Sequence, residues 1–255
     1  MSRIRRVPIA VAALLLASAV AGVADGPAVT VLSSNGLRAV LSETAPRFEQ
    51  ATGNRLAISY SVSSELKKRI ESGERFDVAI VTPPVIDALI ESGTIAVQTR
   101  AAVARSGFGI AIRRGAPKPD LRTLDALKGT LLSATSIAFA REGAGGLFFS
   151  ALIARLGLAD RLAPKLKPVV TGTDVSEAVA RGEAEFGVQP ISEILFVPGV
   201  ELGGSFPPPV QDYSTMVAGI SSASAHAEAA RALIAFLMSP AVEPMLRARG
   251  MERVP

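Results

Sequence analysis

Four short stretches carry the residues best suited to chemistry: Ser33–Gly36 (SSNG), Ser61–Ser64 (SVSS), Gly143–Gly146 (GAGG) and Thr171–Asp174 (TGTD). Each follows an apolar, strand-like segment and leads into a helical pattern. The first N–H groups of a helix have no intrahelical acceptor and carry a partial positive charge. Such an end is a ready anion site, small residues let a ligand approach, and serine hydroxyls add donors. The same residues also serve as plain caps and turns, so one junction alone says little. Four in one chain point to a shared anion-binding cleft. On this reading Ser33, Ser34, Asn35, Gly36, Ser63 and Ser64 are candidate ligand-binding residues.

Other chemistries find less support. "SELK", Ser64 to Lys67, has the Ser-x-x-Lys pattern of a serine nucleophile with a lysine base. Its usual partners, Ser-Asp-Asn and Lys-Thr-Gly, are missing, and Lys67 sits in a charged "LKKRIE" run. An exported serine hydrolase using Ser64 and Lys67 is the alternative from another class. "REGAGG", Arg141 to Gly146, lacks the Gly-Lys-Ser/Thr ending of a phosphate-binding loop. The chain has no Cys and one His. That excludes disulfides and thiol catalysis, and a single His cannot build a His-rich metal site. His226 reads as a solvated residue at a helix start. No cofactor is expected.

The elements that must position these junctions alternate along the chain. Strand signals at Val29–Leu32, Arg55–Tyr60 and Asp77–Val81 alternate with helical ones at Leu37–Thr52, Ser64–Ser72 and Pro84–Ser92, the helices ending at Gly53, Gly73 and Gly93. After a strand at Phe108–Ile112 the pattern restarts. Helices at Leu124–Leu127, Gly146–Leu156 and Asp174–Arg181 alternate with strands at Ser136–Ala140, Pro168–Val170 and Phe186–Val188. "ELGGSFPPPVQDY" reads as a loop and crossover. A strand at Tyr213–Ile220 and helices at Ala225–Met238 and Ala241–Arg249 close the chain. Such alternation implies an α/β fold with mostly parallel sheets covered by helices. Two lobes are expected, 26–107 plus 207–255 and 108–206, with the ligand between them at the strand C-terminal ends.

The 255 residues include a basic start (Arg3, Arg5, Arg6), an apolar Val7–Val20 and small residues after it, the order of a secretory leader spanning 1–24. Its removal takes three of 27 basic residues and none of the 23 acidic ones, and lowers the net charge from +4 to +1. A near-neutral mature chain without clustered Lys/Arg argues against nucleic-acid binding. An exported, periplasmic, monomeric protein is expected.

The order of "VTVLSSNGLRAVL", "APRFEQATG", "YSVSSELKKRIESGERFDVAI", "ALIARLGLADRLAPKLKPV", "DVSEAVARGEAEFGV" and "AARALIAFLMSPAVEPMLRARGM" resembles the periplasmic solute-binding proteins of ABC importers. The likeness is to their molybdate-binding-protein-like branch, with the type II two-lobe binding fold, and spans nearly the whole mature chain. It implies a non-enzymatic protein that captures a molybdate- or tungstate-like oxyanion and delivers it to an importer's membrane component. Ser63 matches the family's second serine, and Gly145 and Val175 match backbone positions that hold the anion. The family's first serine falls on Gly36 and its tyrosine on Pro190, so both hydroxyls are lost; Gln189 and Ser192 lie near the second. Each missing donor costs roughly 1–3 kcal/mol, and two cost about two to four orders of magnitude in affinity. Another small anion or an organic acid is therefore the alternative ligand.

Overall fold

The computed structural model describes residues 28–255; the leader expected at 1–24 lies outside them. Its first strand, β1 (Ala28–Ser34), alternates faces, with Val29 and Val31 in one core cluster and Leu32 in another. It leads through a 3-10 turn at Asn35–Leu37 into α1 (Arg38–Thr52). The units β2 (Arg55–Ser61) with α2 (Ser63–Glu71), and β3 (Val78–Val81) with α3 (Pro83–Glu91), follow. β2, β1 and β3 are parallel neighbours. Val78 and Ile80 pack with Phe48 of α1, while Ala79 and Val81 pack with Leu66 and Leu89 of α2 and α3. Helices thus cover both faces of this sheet.

The central strand is longer than sequence periodicity indicates. β4 runs over 13 residues, Ala101–Arg113, whereas only Phe108–Ile112 shows a strand signal. Its first half, AAVARSG, is mostly Ala, Ser and Gly, which have weak intrinsic β preference, with Val103 its single β-branched residue. Tertiary pairing overrides that preference, because β4 is flanked by partners on both edges. Up to Gly107 it pairs antiparallel with β9 (Tyr213–Ile220); from Phe108 it pairs with β7 (Phe186–Pro190) and β8 (Val200–Ser205). β8 corrects a second expectation: "ELGGS" is strand, not loop. Its glycines hide the pattern and let it approach β4 closely.

The second half repeats the plan. α4 (Leu124–Ser133), β5 (Ile137–Ala140), α5 (Ala144–Arg155), α6 (Ala159–Leu162), β6 (Leu166–Val169) and α7 (Gly172–Ala180) precede β7. β6, β5 and β7 are parallel neighbours. A four-residue α8 (Ile191–Ile194) follows β7. The chain returns through β9 and closes with α9 (Ala227–Met238), α10 (Glu243–Ala248) and β10 (Met251–Glu252), which pairs with β4. The sheet order is β2-β1-β3-β9-β4-β7-β5-β6, giving two helix-covered α/β lobes.

His226 is not simply solvated. Its Nδ1 lies 3.3 Å from Oδ2 of buried Asp77. That carboxylate also accepts from the Thr30 N–H at 2.8 Å and the Ser224 hydroxyl at 2.6 Å. Burial pushes the Asp77 carboxyl up, but the bonds from Ser224, Thr30 and His226 together outweigh it and hold the carboxyl below its ordinary value. The network ties β1 and β3 to the start of α9.

Candidate functional site

β1 and β2 end in register, Ser34 beside Ser61, and β5 ends alongside β7. The junctions leaving these strands face one another across a cavity of about 150 Å3. From the first lobe come Ser34, Asn35, Ser63, Ser64 and Thr82; from the second come Gly143, Gly145, Gly172, Gln189 and Glu193. Val62, Val85, Ala140 and Val188 supply apolar wall. Among the described residues no group of three or more His, Asp or Glu side chains is gathered as a metal ion needs.

Ser63 is poised to donate. The Thr82 N–H donates to its Oγ at 3.1 Å, which leaves the hydroxyl proton free for a ligand. The N–H groups of Glu65 and Leu66 both return to the Val62 carbonyl, so the N–H groups before them, of Ser63 and Ser64, are those without an intrahelical acceptor. Ser64 Oγ is buried and has no partner among the described residues. Lys67 pairs with Glu71 one turn further along α2, so its amine is engaged away from Ser64.

In α5 the first returning bond is from the Leu147 N–H to the Gly143 carbonyl, so Ala144, Gly145 and Gly146 form the open end. Gly145 is there because the helix start lies directly on β7: a Cβ would sit 2.7 Å from Gln189 Cα and 2.9 Å from the Val188 oxygen. α7 begins at Gly172, two residues before the start expected at Asp174. Thr171 and Asp174 form a reciprocal cap, and the Val175 N–H donates to the Thr171 carbonyl at 3.2 Å.

Three candidates therefore stand apart from the cavity. Val175 is fully buried with its N–H spent inside α7, and Gly172 takes the cleft position. Ser33 is fully buried and donates to the Ser34 carbonyl, because alternation along β1 turns it away. Gly36 is buried beneath Met216, whose Cε lies 3.1 Å from where a Cβ would be. Its carbonyl accepts from the Ser192 hydroxyl at 2.9 Å, so Ser192 ties the lobes together instead of replacing the lost donor. Ser34, Asn35, Ser63, Ser64, Gly145 and Gln189 do meet at the cavity, as does Pro190.

Gln189 is 1% exposed. Its Nε2 bonds Ser176 Oγ, and its Oε1 has no partner among the described residues. The Ser176 hydroxyl can donate as well as accept, so the amide can turn to present either oxygen or NH2 to a ligand.

Glu193 is the residue that the motifs do not reveal. The only local cue is an acidic side chain just after an apolar strand, at the start of a helix. The carboxyl reaches into a notch left by Gly172: Oε2 lies 1.6 Å from where a Cβ on Gly172 would be. No hydrogen bond or ion pair engages it among the described residues. Burial pushes its pKa up to about 7. Arg38 shares the adjoining crevice, its guanidinium 5.2 Å from the ring centres of both Tyr60 and Phe196.

A cleft between two α/β lobes, lined by helix starts, has relatives. The family model for bacterial extracellular solute-binding proteins matches residues 29–252. The chain belongs to that family. It is 35% identical over 253 residues to an aconitate isomerase of a Pseudomonas species, covering 97% of this chain and 96% of that one. It is 25% identical over 201 residues to the molybdate-binding protein of Escherichia coli strain K12, covering 77% and 78%. The periplasmic molybdate-binding protein of Azotobacter vinelandii superposes with a TM-score of 0.76 at 20% identity, covering 89% of this chain and 99% of that one. The family is one of bacterial extracellular solute-binding proteins, and the two-lobe fold of the molybdate-binding protein is the fold of this chain.

Proposed function

We propose that this solute-binding protein captures a small polycarboxylate of the aconitate class in its interlobe cleft. The observation that carries the reading is the character of the cavity, which joins N–H and hydroxyl donors to apolar walls, with the carboxyls of Glu142 and Glu193 beside them. A tetrahedral inorganic oxyanion has no carbon to set against Val62, Val85, Ala140 and Val188, whereas a carboxylic acid has both parts. The buried Gly36 and the Pro190 wall leave fewer donors for a bare oxyanion. The 35% identity to an aconitate isomerase over nearly the full length supports the same ligand class.

The lobes are taken as 26–107 plus 207–255 and 108–206. The partner switch of β4 between Gly107 and Phe108 supports that division. Closure of the lobes around a ligand would bring the helix starts onto its carboxylates. The protein would work as a periplasmic monomer that passes its ligand to an importer's membrane component. Molybdate or tungstate capture is the second reading, favoured by the free hydroxyl proton of Ser63. Calorimetry and thermal shift with cis-aconitate, trans-aconitate, citrate, molybdate, tungstate and sulfate separate the two. Saturable stabilisation by a polycarboxylate, with none by molybdate or tungstate, is the expected result. The reverse pattern refutes the proposal.

A further inference from the structure

We propose that Glu193 is a catalytic residue that moves a proton within the bound polycarboxylate, so that the cleft converts its ligand as well as holding it. This inference rests on polycarboxylate capture as proposed above. Three features argue for it. First, the carboxyl is a built part of the cleft: it occupies the space that only a glycine at 172 leaves open, between the starts of α1 and α7. Second, no described residue engages it by hydrogen bond or ion pair, although a structural carboxylate in such surroundings ordinarily has partners, as Asp77 has. Third, its environment keeps it near half-protonated at neutral pH, where one group can serve as both base and acid. The other charged groups lining these spaces are Glu142 at the cavity and Arg38 in the adjoining crevice.

The cleft also answers what the reaction would require. An unsaturated tricarboxylate has a methylene carbon that carries a carboxylate and adjoins the C=C bond. The Glu193 carboxylate takes one proton from that methylene. The C–H electron pair forms a new C=C bond, and the pair of the old one moves to the far carbon and into its carboxylate. Glu193 returns the proton to that far carbon. One C–H bond breaks and one forms, the double bond shifts by one position, and no oxidant or reductant is consumed. The charge that develops on the carboxylates meets the open N–H groups of α2, α5 and α7 and the buried amide of Gln189. The new double bond can form with either geometry, so the net conversion is between cis and trans isomers.

The test follows cis- and trans-aconitate by proton NMR with the mature protein. The wild type should interconvert them, with kcat/KM rising with pH through an apparent pKa of about 7. Glu193→Gln should bind both isomers within several-fold of wild type, yet lose at least about 100-fold in kcat, the usual contribution of a positioned base. Melting of each variant checks its fold. If Gln is not tolerated, Glu193→Asp withdraws the carboxyl by one methylene and should lower kcat with KM held. Undiminished turnover in a folded Glu193 variant overturns the assignment. A wild type that binds both isomers and converts neither also overturns it, while leaving the capture reading intact. Failure of both isomers to bind refutes the capture reading itself, and this inference with it, whereas binding of only one isomer overturns this inference alone.

Discussion

Gly145→Ala should loosen the protein and weaken its ligand site at the same time. Ala is the better helix former by up to about 1 kcal/mol in a helix interior, so from propensity alone the change looks stabilising. The tertiary contact reverses the sign. The added Cβ would lie 2.7 Å from Gln189 Cα and 2.9 Å from the Val188 oxygen. Carbon–carbon contacts are optimal at about 3.5–4.0 Å, so α5 must back away from β7 by about 1 Å. Both obstructing atoms are backbone, and no rotamer change relieves them. Overpacking of this kind costs roughly 1–3 kcal/mol, or about 2–12 °C in Tm at ~2–4 °C per kcal/mol for a chain of this size. Gly129→Ala is the internal control. It lies inside α4 with nothing within 4 Å of the new Cβ, so it should be neutral or stabilising. The assay is thermal and urea melting of the two variants beside wild type, with ligand titration of each. Because retreat of α5 carries the Gly145 N–H out of the cleft, Gly145→Ala should also weaken binding, whereas Gly129→Ala should not. A Gly145→Ala protein as stable as Gly129→Ala would refute the close contact between α5 and β7, and with it the geometry of the second-lobe donors.

Ser63→Ala should reduce affinity for the captured anion by about 5- to 150-fold, the effect of one lost donor at roughly 1–3 kcal/mol. Titration calorimetry checks this; the empty protein should also melt somewhat lower, because the Thr82 N–H loses its acceptor. Asp77→Asn should destabilise the fold at neutral pH, because the Thr30 N–H, Ser224 and His226 lose a charged acceptor. The native pKa of Asp77 is depressed, so its contribution is present above the unfolded value of about 3.9 and is lost as pH falls through the native one. Melts across the acid range should show the variant's deficit shrinking toward low pH; a deficit that stays constant would refute the linkage.

Local cues carried much of the architecture. Helices that stop at Gly53, Gly73 and Gly93, and a strand at Tyr213–Ile220, stand where periodicity and glycine placement put them. These cues survive because capping and alternation are short-range effects, written within a few residues. The starts of α2 and α5, expected at Ser64 and Gly146, fall within two residues of that, at Ser63 and Ala144. β4 and β8 were illegible in their Ala- and Gly-rich parts, since their strand state comes from neighbours distant in sequence.

By itself, then, the sequence determined an alternating α/β chain with several anion-ready junctions. Only the tertiary structure decided which of their residues reach a ligand. A two-residue difference in where α7 begins spends the Val175 N–H and sets Gly172 at the cavity in its place. Strand alternation turns Ser33 inward, and Met216 from β9 closes over Gly36. Glu193 takes its place from a notch on another helix and its raised pKa from burial. Neither is visible in the residues beside it, because both depend on packing between segments far apart in the chain.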